Sequence, residues 1–197
     1  MQGKPSRAER AEATRSKLLR EARELFAERG YAVVGTEEIV RAARVTRGAL
    51  YHHFRDKRQL FREVHESLEA ELVERIGAAL DGVEDPLELL ETGLRAFLDA
   101  CTEPAIIRIA LIDAPTVLGW EEWREIDAKY GLGIVTFGLQ NAMDAGVMAR
   151  QDVRPLAHIM LGALGEAALL IANADDPQAA RKEVEGPLLG LLGGLAP

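Results

Sequence analysis

The sequence predicts an all-α protein, and two observations carry that prediction. Apolar residues recur three or four positions apart along nearly the whole chain, and no stretch sustains the two-residue alternation of a half-buried strand. Short apolar runs such as 31–34 are too brief to compete. With 197 residues, 48% of them hydrophobic and 28% charged, the composition is that of a globular chain with room for a small module and a larger one.

Each helix has its own signals. Leu18, Ala22, Leu25 and Phe26 mark one face of a first helix, which Gly30 stops as a C-terminal cap. A short second helix starts at Gly35 or Thr36, carries Glu37 and Glu38 at the positive end of its dipole, and turns Ile39, Val40 and Ala43 inward. Thr46 is a natural N-cap for a third, with Ala49, Leu50 and Phe54 as its buried side. Two short helices joined so tightly must cross steeply. From Asp56 a long helix over about 57–81 carries Leu60, Phe61, Val64, Leu68, Leu72, Ile76 and Leu80 as one stripe. Asp85-Pro86 opens the next, with Leu87, Leu90, Leu94, Phe97, Leu98 and Cys101 inward, and Pro104 breaks it. Residues 106–112 are apolar on almost every side and are expected to be fully buried, and 113–119 read as a connector. A long helix follows with Trp123, Ile126, Tyr130, Ile134 and Phe137. Another starts at Pro155 with Leu156, Ile159, Met160, Ala163, Ala167, Leu170 and Ile171 inward. The last, about 177–195, contains Gly186-Pro187, where proline is expected to kink or restart it.

Charge divides the chain. Residues 1–62 hold 15 Lys and Arg against 8 Asp and Glu, a net +7, whereas the remainder holds 9 against 24, a net −15. A basic head suits a polyanion, and an acidic body does not. The basic residues continue through Arg41, Arg44, Arg47, Arg55, Lys57, Arg58 and Arg62, so this is more than a solvated arm. The single Cys101 excludes an internal disulfide and a cysteine cage. No apolar run reaches the roughly 18 residues of a membrane helix, and the N-terminal residues lack a signal-peptide pattern, so a cytoplasmic location without membrane contact is expected.

The informative stretch is 36–57, TEEIVRAARVTRGALYHHFRDK. Two short helices at a tight turn can lay the second in the major groove of B-DNA while the first braces the backbone. Groove-facing positions must then be polar or small, as Thr46, Arg47, Gly48 and Ala49 are. Arg47 can fork onto guanine O6 and N7, and Gly48 and Ala49 allow close approach to bases or a thymine methyl. Tyr51, His52 and His53 bring donors later on the helix. Lys57 and Thr36 stand at helix starts, where phosphate is favoured. Neighbouring helix positions point about 100° apart, so His52 and His53 do not chelate one metal together.

The string GYAVVGTEEIVRAARVTRGALYHHFRDKRQLFREV resembles the helix-turn-helix head of TetR-family bacterial transcriptional regulators, the likeness spanning about 12–75. The resemblance implies DNA contacts at Thr36, Thr46, Arg47, Gly48, Ala49, Tyr51, His52, His53 and Lys57. It also implies a DNA-binding domain over 12–57, extending to about 75 with the connecting helix. A helical body over 58–197 would then bind a small molecule and dimerise through its last two helices. Where the family favours glycine at the turn, this chain has Arg44. Positive φ there costs a non-glycine residue roughly 1 kcal/mol, so either Arg44 is a strained residue that adds a phosphate contact or the turn is reshaped.

A largely apolar effector would meet Phe97, Cys101, Ile107, Leu111, Trp123, Tyr130, Phe137 and Met160, although aromatics at helical spacing are more often simply core. Leu156, Ile159, Gly162, Ala163, Glu166, Ala167, Leu170, Leu188, Leu191 and Leu192 are the expected dimer face. His65 and His158 are isolated and read as ordinary surface or core residues. No nucleophile elbow, phosphate loop or metal motif is present, serine occurs only at 6, 16 and 67, and no cofactor or metal is expected. The expectation is a homodimeric, ligand-responsive repressor on a palindromic double-stranded operator. Its rivals are a regulator without effector and a small-molecule enzyme with a vestigial head.

Overall fold

The computed structural model describes residues 6–196; Lys4 of the basic count and Pro197 lie outside that range. The described residues form nine α-helices and one π-helix, with no strand among them. In order these are α1 Arg7–Arg29, α2 Thr36–Ala42, α3 Arg47–His53, α4 Lys57–Leu80, α5 Pro86–Ala100, the π-helix Ile106–Asp113, α6 Ala114–Leu118, α7 Trp120–Asp144, α8 Val153–Ala172 and α9 Pro177–Gly193.

Local chemistry sets the starts. Ser6 and Glu9 form a capping box on α1, and Asp56, Asp85, Asp152 and Asp176 accept backbone N–H groups at the heads of α4, α5, α8 and α9. Gly35 is the N-cap of α2 and offers no side-chain bond. Helix α8 begins at Val153, so Pro155 sits within its first turn.

Head and body share one core. Leu18, Ala22, Phe26, Leu50, Phe54, Leu60 and Phe61 pack with Ile106, Ile109, Ala114, Trp123 and Ile126 in a continuous cluster. Phe26 and Phe61 meet edge to face at 5.4 Å. Leu25 is only partly buried, and Leu87 is 43% exposed, contrary to its expected inward position.

The stretch 106–113 departs furthest from expectation. It is a π-helix in which Ile106, Ile109 and Ala110 are buried but Ile112 is 37% exposed, and the expected connector after it contains helix α6. Ring closure from i to i+5 lays residues five apart on one side of the helix, which α-helical spacing does not. Arg108 and Asp113 consequently face the same way, 3.5 Å apart.

Helix α9 continues through Pro187 without interruption. Pro187 and Glu183 are both exposed, so the Glu183 carbonyl that lacks its N–H partner can be hydrated. Helix α8, with mean hydropathy 1.7, is by length and composition apolar enough to cross a membrane, unlike the expectation for this chain. His158 and Glu166 interrupt its apolar run without cancelling the average, and 44% of that window is buried in the body.

Candidate functional site

The turn between α2 and α3 is a Schellman motif. The N–H of Val45 donates to the Val40 carbonyl at 3.0 Å and that of Arg44 to the Arg41 carbonyl at 3.2 Å. Arg44 stands at the left-handed position with φ +54°, the one non-glycine residue with positive φ among those described. Of the two outcomes open in the sequence, the glycine-type turn is kept and Arg44 carries its strain. Its side chain borders a hollow shared with Lys17 and Arg20 of α1.

Thr46 caps α3 by accepting from the Ala49 N–H at 3.2 Å. Thr46, Arg47, Gly48, Tyr51 and His52 are exposed, while Ala49, His53 and Thr36 are half-buried. Arg47 rests 2.9 Å from Glu37, with its guanidinium 5.5 Å from the Tyr51 ring centroid. Both partners of that ion pair are 66% exposed, so it is weak and exchangeable.

Lys57 is placed otherwise than as a free phosphate ligand. Its Nζ donates to the carbonyls of Tyr31 at 2.7 Å and Val34 at 2.8 Å and lies 3.9 Å over the Tyr31 ring. Burial pushes Lys57 below its ordinary pKa, with the charge of Asp113 opposing. Several other head cations are also engaged. Arg58 donates to the carbonyls of Val117 at 3.2 Å and Leu118 at 2.9 Å and to Glu122, and Arg62 donates to Glu122 at 2.8 Å. Burial alone would raise the Glu122 carboxyl; the two arginines bring it below its usual range. Asp113 completes this polar seam by accepting from the Tyr31 N–H at 2.7 Å. The seam was missed from the sequence, where its one signal is a pair of charges, Arg108 and Asp113, framing an apolar run.

The body holds a partly open cavity of about 100 Å³ between α4, α5, α7 and α8, with Leu192 of α9 on one side. Phe97 and Met160, two of the expected pocket residues, line it. Cys101, Ile107, Leu111, Trp123, Tyr130 and Phe137 lie outside its lining. Trp123 is buried in the core shared with the head and donates from Nε1 to the Ala110 carbonyl at 3.0 Å; Tyr130 and Leu111 pack beside that core. Cys101 is buried among α5, α8 and α9, where desolvation raises its thiol pKa. Ile107 is half-buried, and Phe137 is 55% exposed because it falls on the outer side of α7.

Two acids line this apolar space, Glu69 of α4 and Asp127 of α7. Burial, aided by the charge of Asp127, pushes Glu69 up to about 7. Asp127 is raised by burial, with Arg124, 2.6 Å away, opposing. Beside Glu69 stands His65, fully buried, with no hydrogen-bond partner at either ring nitrogen and pushed down to about 4 by burial. His158, by contrast, is exposed. Glu69 sits one residue off the Leu68–Leu72 stripe, so spacing gives no signal of its burial.

The expected dimer residues divide into two sets. Leu156, Ala167, Leu188 and Leu192 are buried within this chain, because they form the side of α8 and α9 that packs on its own body. Ile159, Leu170 and Leu191 are 67%, 56% and 55% exposed, with Glu166 exposed and Gly162 and Ala163 half-buried nearby.

A Schellman-turned helix pair with an open polar tip, carried on a helical body, defines a DNA-binding transcriptional regulator of the helix-turn-helix class. The chain belongs to the TetR family. Residues 18–64 match the family model for bacterial regulatory proteins of the tetR family, and residues 87–195 match the tetracyclin repressor-like C-terminal domain. A TetR-family transcriptional regulator from Pectobacterium atrosepticum is 38% identical, with a TM-score of 0.86 over 98% of both chains. The Transposon Tn10 TetC protein of Escherichia coli is 26% identical over 162 residues, 82% of each chain. The transcriptional regulator AcuR of Cereibacter sphaeroides is 37% identical over 91 residues, which span 45% of this chain and 41% of AcuR. RolR bound to resorcinol shares the fold, with a TM-score of 0.74 at 24% identity over 94% of this chain and 90% of that one.

Proposed function

We propose that this protein is a homodimeric repressor that reads a palindromic operator with paired heads and releases it when a small, largely apolar molecule enters the body. One observation carries the ligand response. Helix α4 packs Leu60, Phe61, Val64 and Leu68 into the core shared with the head and presents Leu72, Val73, Ile76 and Leu80 to the cavity. A ligand that changes the cavity therefore acts on the element that carries the head. The linkage is a population shift, in which the ligand must bind the DNA-incompetent arrangement better. The cavity favours this reading over a regulator whose body serves dimerisation alone.

We assign base and phosphate contacts to Thr36, Arg44, Thr46, Arg47, Gly48, Ala49, Tyr51, His52 and His53. Lys57 we assign to holding the loop before α2, since phosphate would compete with two carbonyls. Ile159, Gly162, Ala163, Glu166, Leu170 and Leu191 form the proposed dimer face. Two-fold pairing there would set operator half-sites about one helical turn, ~34 Å, apart or somewhat more. The acidic body repels DNA and directs it to the heads, and the protein acts in the cytoplasm beside its operator. That AcuR and the Pectobacterium atrosepticum relative are transcriptional regulators favours this reading over an enzyme with a vestigial head.

Selection of bound sequences from a random duplex pool tests the reading. A palindromic consensus is expected, and Arg47→Ala should lose about 1–3 kcal/mol of affinity for it with selectivity relaxed at one base pair. Unchanged selectivity in that variant would remove Arg47 from the interface.

A further inference from the structure

The cavity's apolar lining is interrupted at one place. Among the described residues that line it there is no lysine, arginine or histidine, and its only ionisable members are Glu69 and Asp127. Asp127 already has a cation, since Arg124 Nη1 donates to its Oδ2 at 2.6 Å. Glu69 has none. Nδ1 of His65 stands 3.7 Å from its Oε1, beyond hydrogen-bond reach. Only 15% of the Glu69 side chain is accessible. His65 is fully buried, and no hydrogen bond reaches either ring nitrogen.

Resting on the reading of the body as an effector domain, we infer that the cavity takes a compact apolar molecule bearing a single cationic amine, whose head is recognised by the Glu69 carboxylate. A buried carboxylate without a partner is costly, and an ammonium supplies the missing charge and donor together. His65 cannot supply that charge, since burial holds it neutral at physiological pH. With Glu69 raised to about 7, a cationic amine draws it to its ionised form, whereas a carboxylate-headed ligand would be received only by a protonated Glu69 and would set its charge beside Asp127, and a neutral hydroxyl gains one bond about half as strong as a charge-assisted one. Size sets the body. The volume of about 100 Å³ is below the ~150 Å³ of an engineered apolar cavity that admits benzene, which points to a short branched chain and not to a ring.

Three probes of one shape separate the head groups: isobutylamine, isobutanol and isobutyrate, each titrated by calorimetry at pH 8, above the Glu69 value of about 7, into the protein up to about 10 mM, the range expected for ligands of about five or six heavy atoms. The amine should bind about tenfold tighter than the alcohol, with the acid weakest, and should shift the NMR signal of the Met160 methyl. The isosteric Glu69→Gln variant should lose about tenfold for the amine and leave the alcohol within about twofold. The inference is overturned if the alcohol or acid matches the amine, if Glu69→Gln preserves the ranking, if Met160 is unaffected, or if the amine does not bind. Isopentane, with a methyl in place of the amine of isobutylamine, separates this failure from that of the effector reading. If isopentane shifts Met160 and weakens operator binding while the amine has no advantage, the cavity remains an effector site with a different preference. If no probe moves either signal, both readings fall.

Discussion

Asp113 accepts the backbone N–H of Tyr31 at 2.7 Å, although 82 positions separate the two residues. Tyr31 opens the loop after α1, and its carbonyl is held in turn by Lys57 at the start of α4. The last residue of the π-helix is thus one bond from the head's first turn and two from its exit. Arg108 extends the seam, for its guanidinium fills the space where a Cβ at Gly30 would stand, at φ +81°.

Removing Asp113 tests whether that seam carries coupling. Asp113→Ala leaves a part-buried N–H without its acceptor and should cost about 1–3 kcal/mol in urea denaturation. Operator affinity without ligand should change little, whereas the ratio of affinities with and without ligand should fall toward one in fluorescence anisotropy. An unchanged ratio would move the coupling elsewhere, to Arg58, Arg62 and Glu122.

Arg44 sets stability against affinity. Arg44→Gly relieves the left-handed strain and should raise stability by about 0.5–1 kcal/mol, less the added freedom of the unfolded chain. The same change should weaken operator binding and lower the slope of log K against log salt by about 1, if Arg44 meets a phosphate.

The two sides of α8 and α9 should respond oppositely. Leu170→Glu or Ile159→Glu places a charge on an exposed face, so each protomer should keep its fold while sedimentation shifts to the monomer and operator binding collapses. Leu188→Ala empties a buried position and should cost the protomer about 2–5 kcal/mol. A stable dimer of the Leu170→Glu variant would place the interface on another surface.

Glu69 and His65 give stability two opposed pH dependences. Glu69 rises from an ordinary 4.5 to about 7, so the folded state keeps a proton that the unfolded chain releases, and stability falls as pH climbs from 4.5 through 7. His65 drops from 6.5 to about 4, so the folded state refuses a proton the unfolded chain accepts, and stability falls as pH descends from 6.5 through 4. Between about 4.5 and 6.5 the two nearly cancel. Glu69→Gln should therefore gain stability relative to the parent as pH rises, by on the order of 3 kcal/mol at pH 8. His65→Leu should instead flatten the acid limb. Urea denaturation from pH 4 to pH 8 reads both.

The sequence alone determined most of the helices and the place of the reading head, but not the π-helix at 106–113, helix α6 or the form of the Arg44 turn. Three- and four-residue spacing is a local property, and so are caps such as Thr46 and Asp56. Tertiary structure decided what covers each apolar stripe. Periodicity marks Leu156 and Ile159 alike as apolar on α8, yet the first packs on its own body and the second faces out, because the stripe is wider than one neighbour can cover. The cavity was likewise out of reach, since it is space left between crossing helices that approach closely at Gly131 and Gly138, where a Cβ would stand 3.0 Å from Leu161 and 2.8 Å from Leu90. The acid that gives the cavity its chemistry became visible once α7 closed over Glu69, for burial and not residue type makes a carboxylate seek a partner.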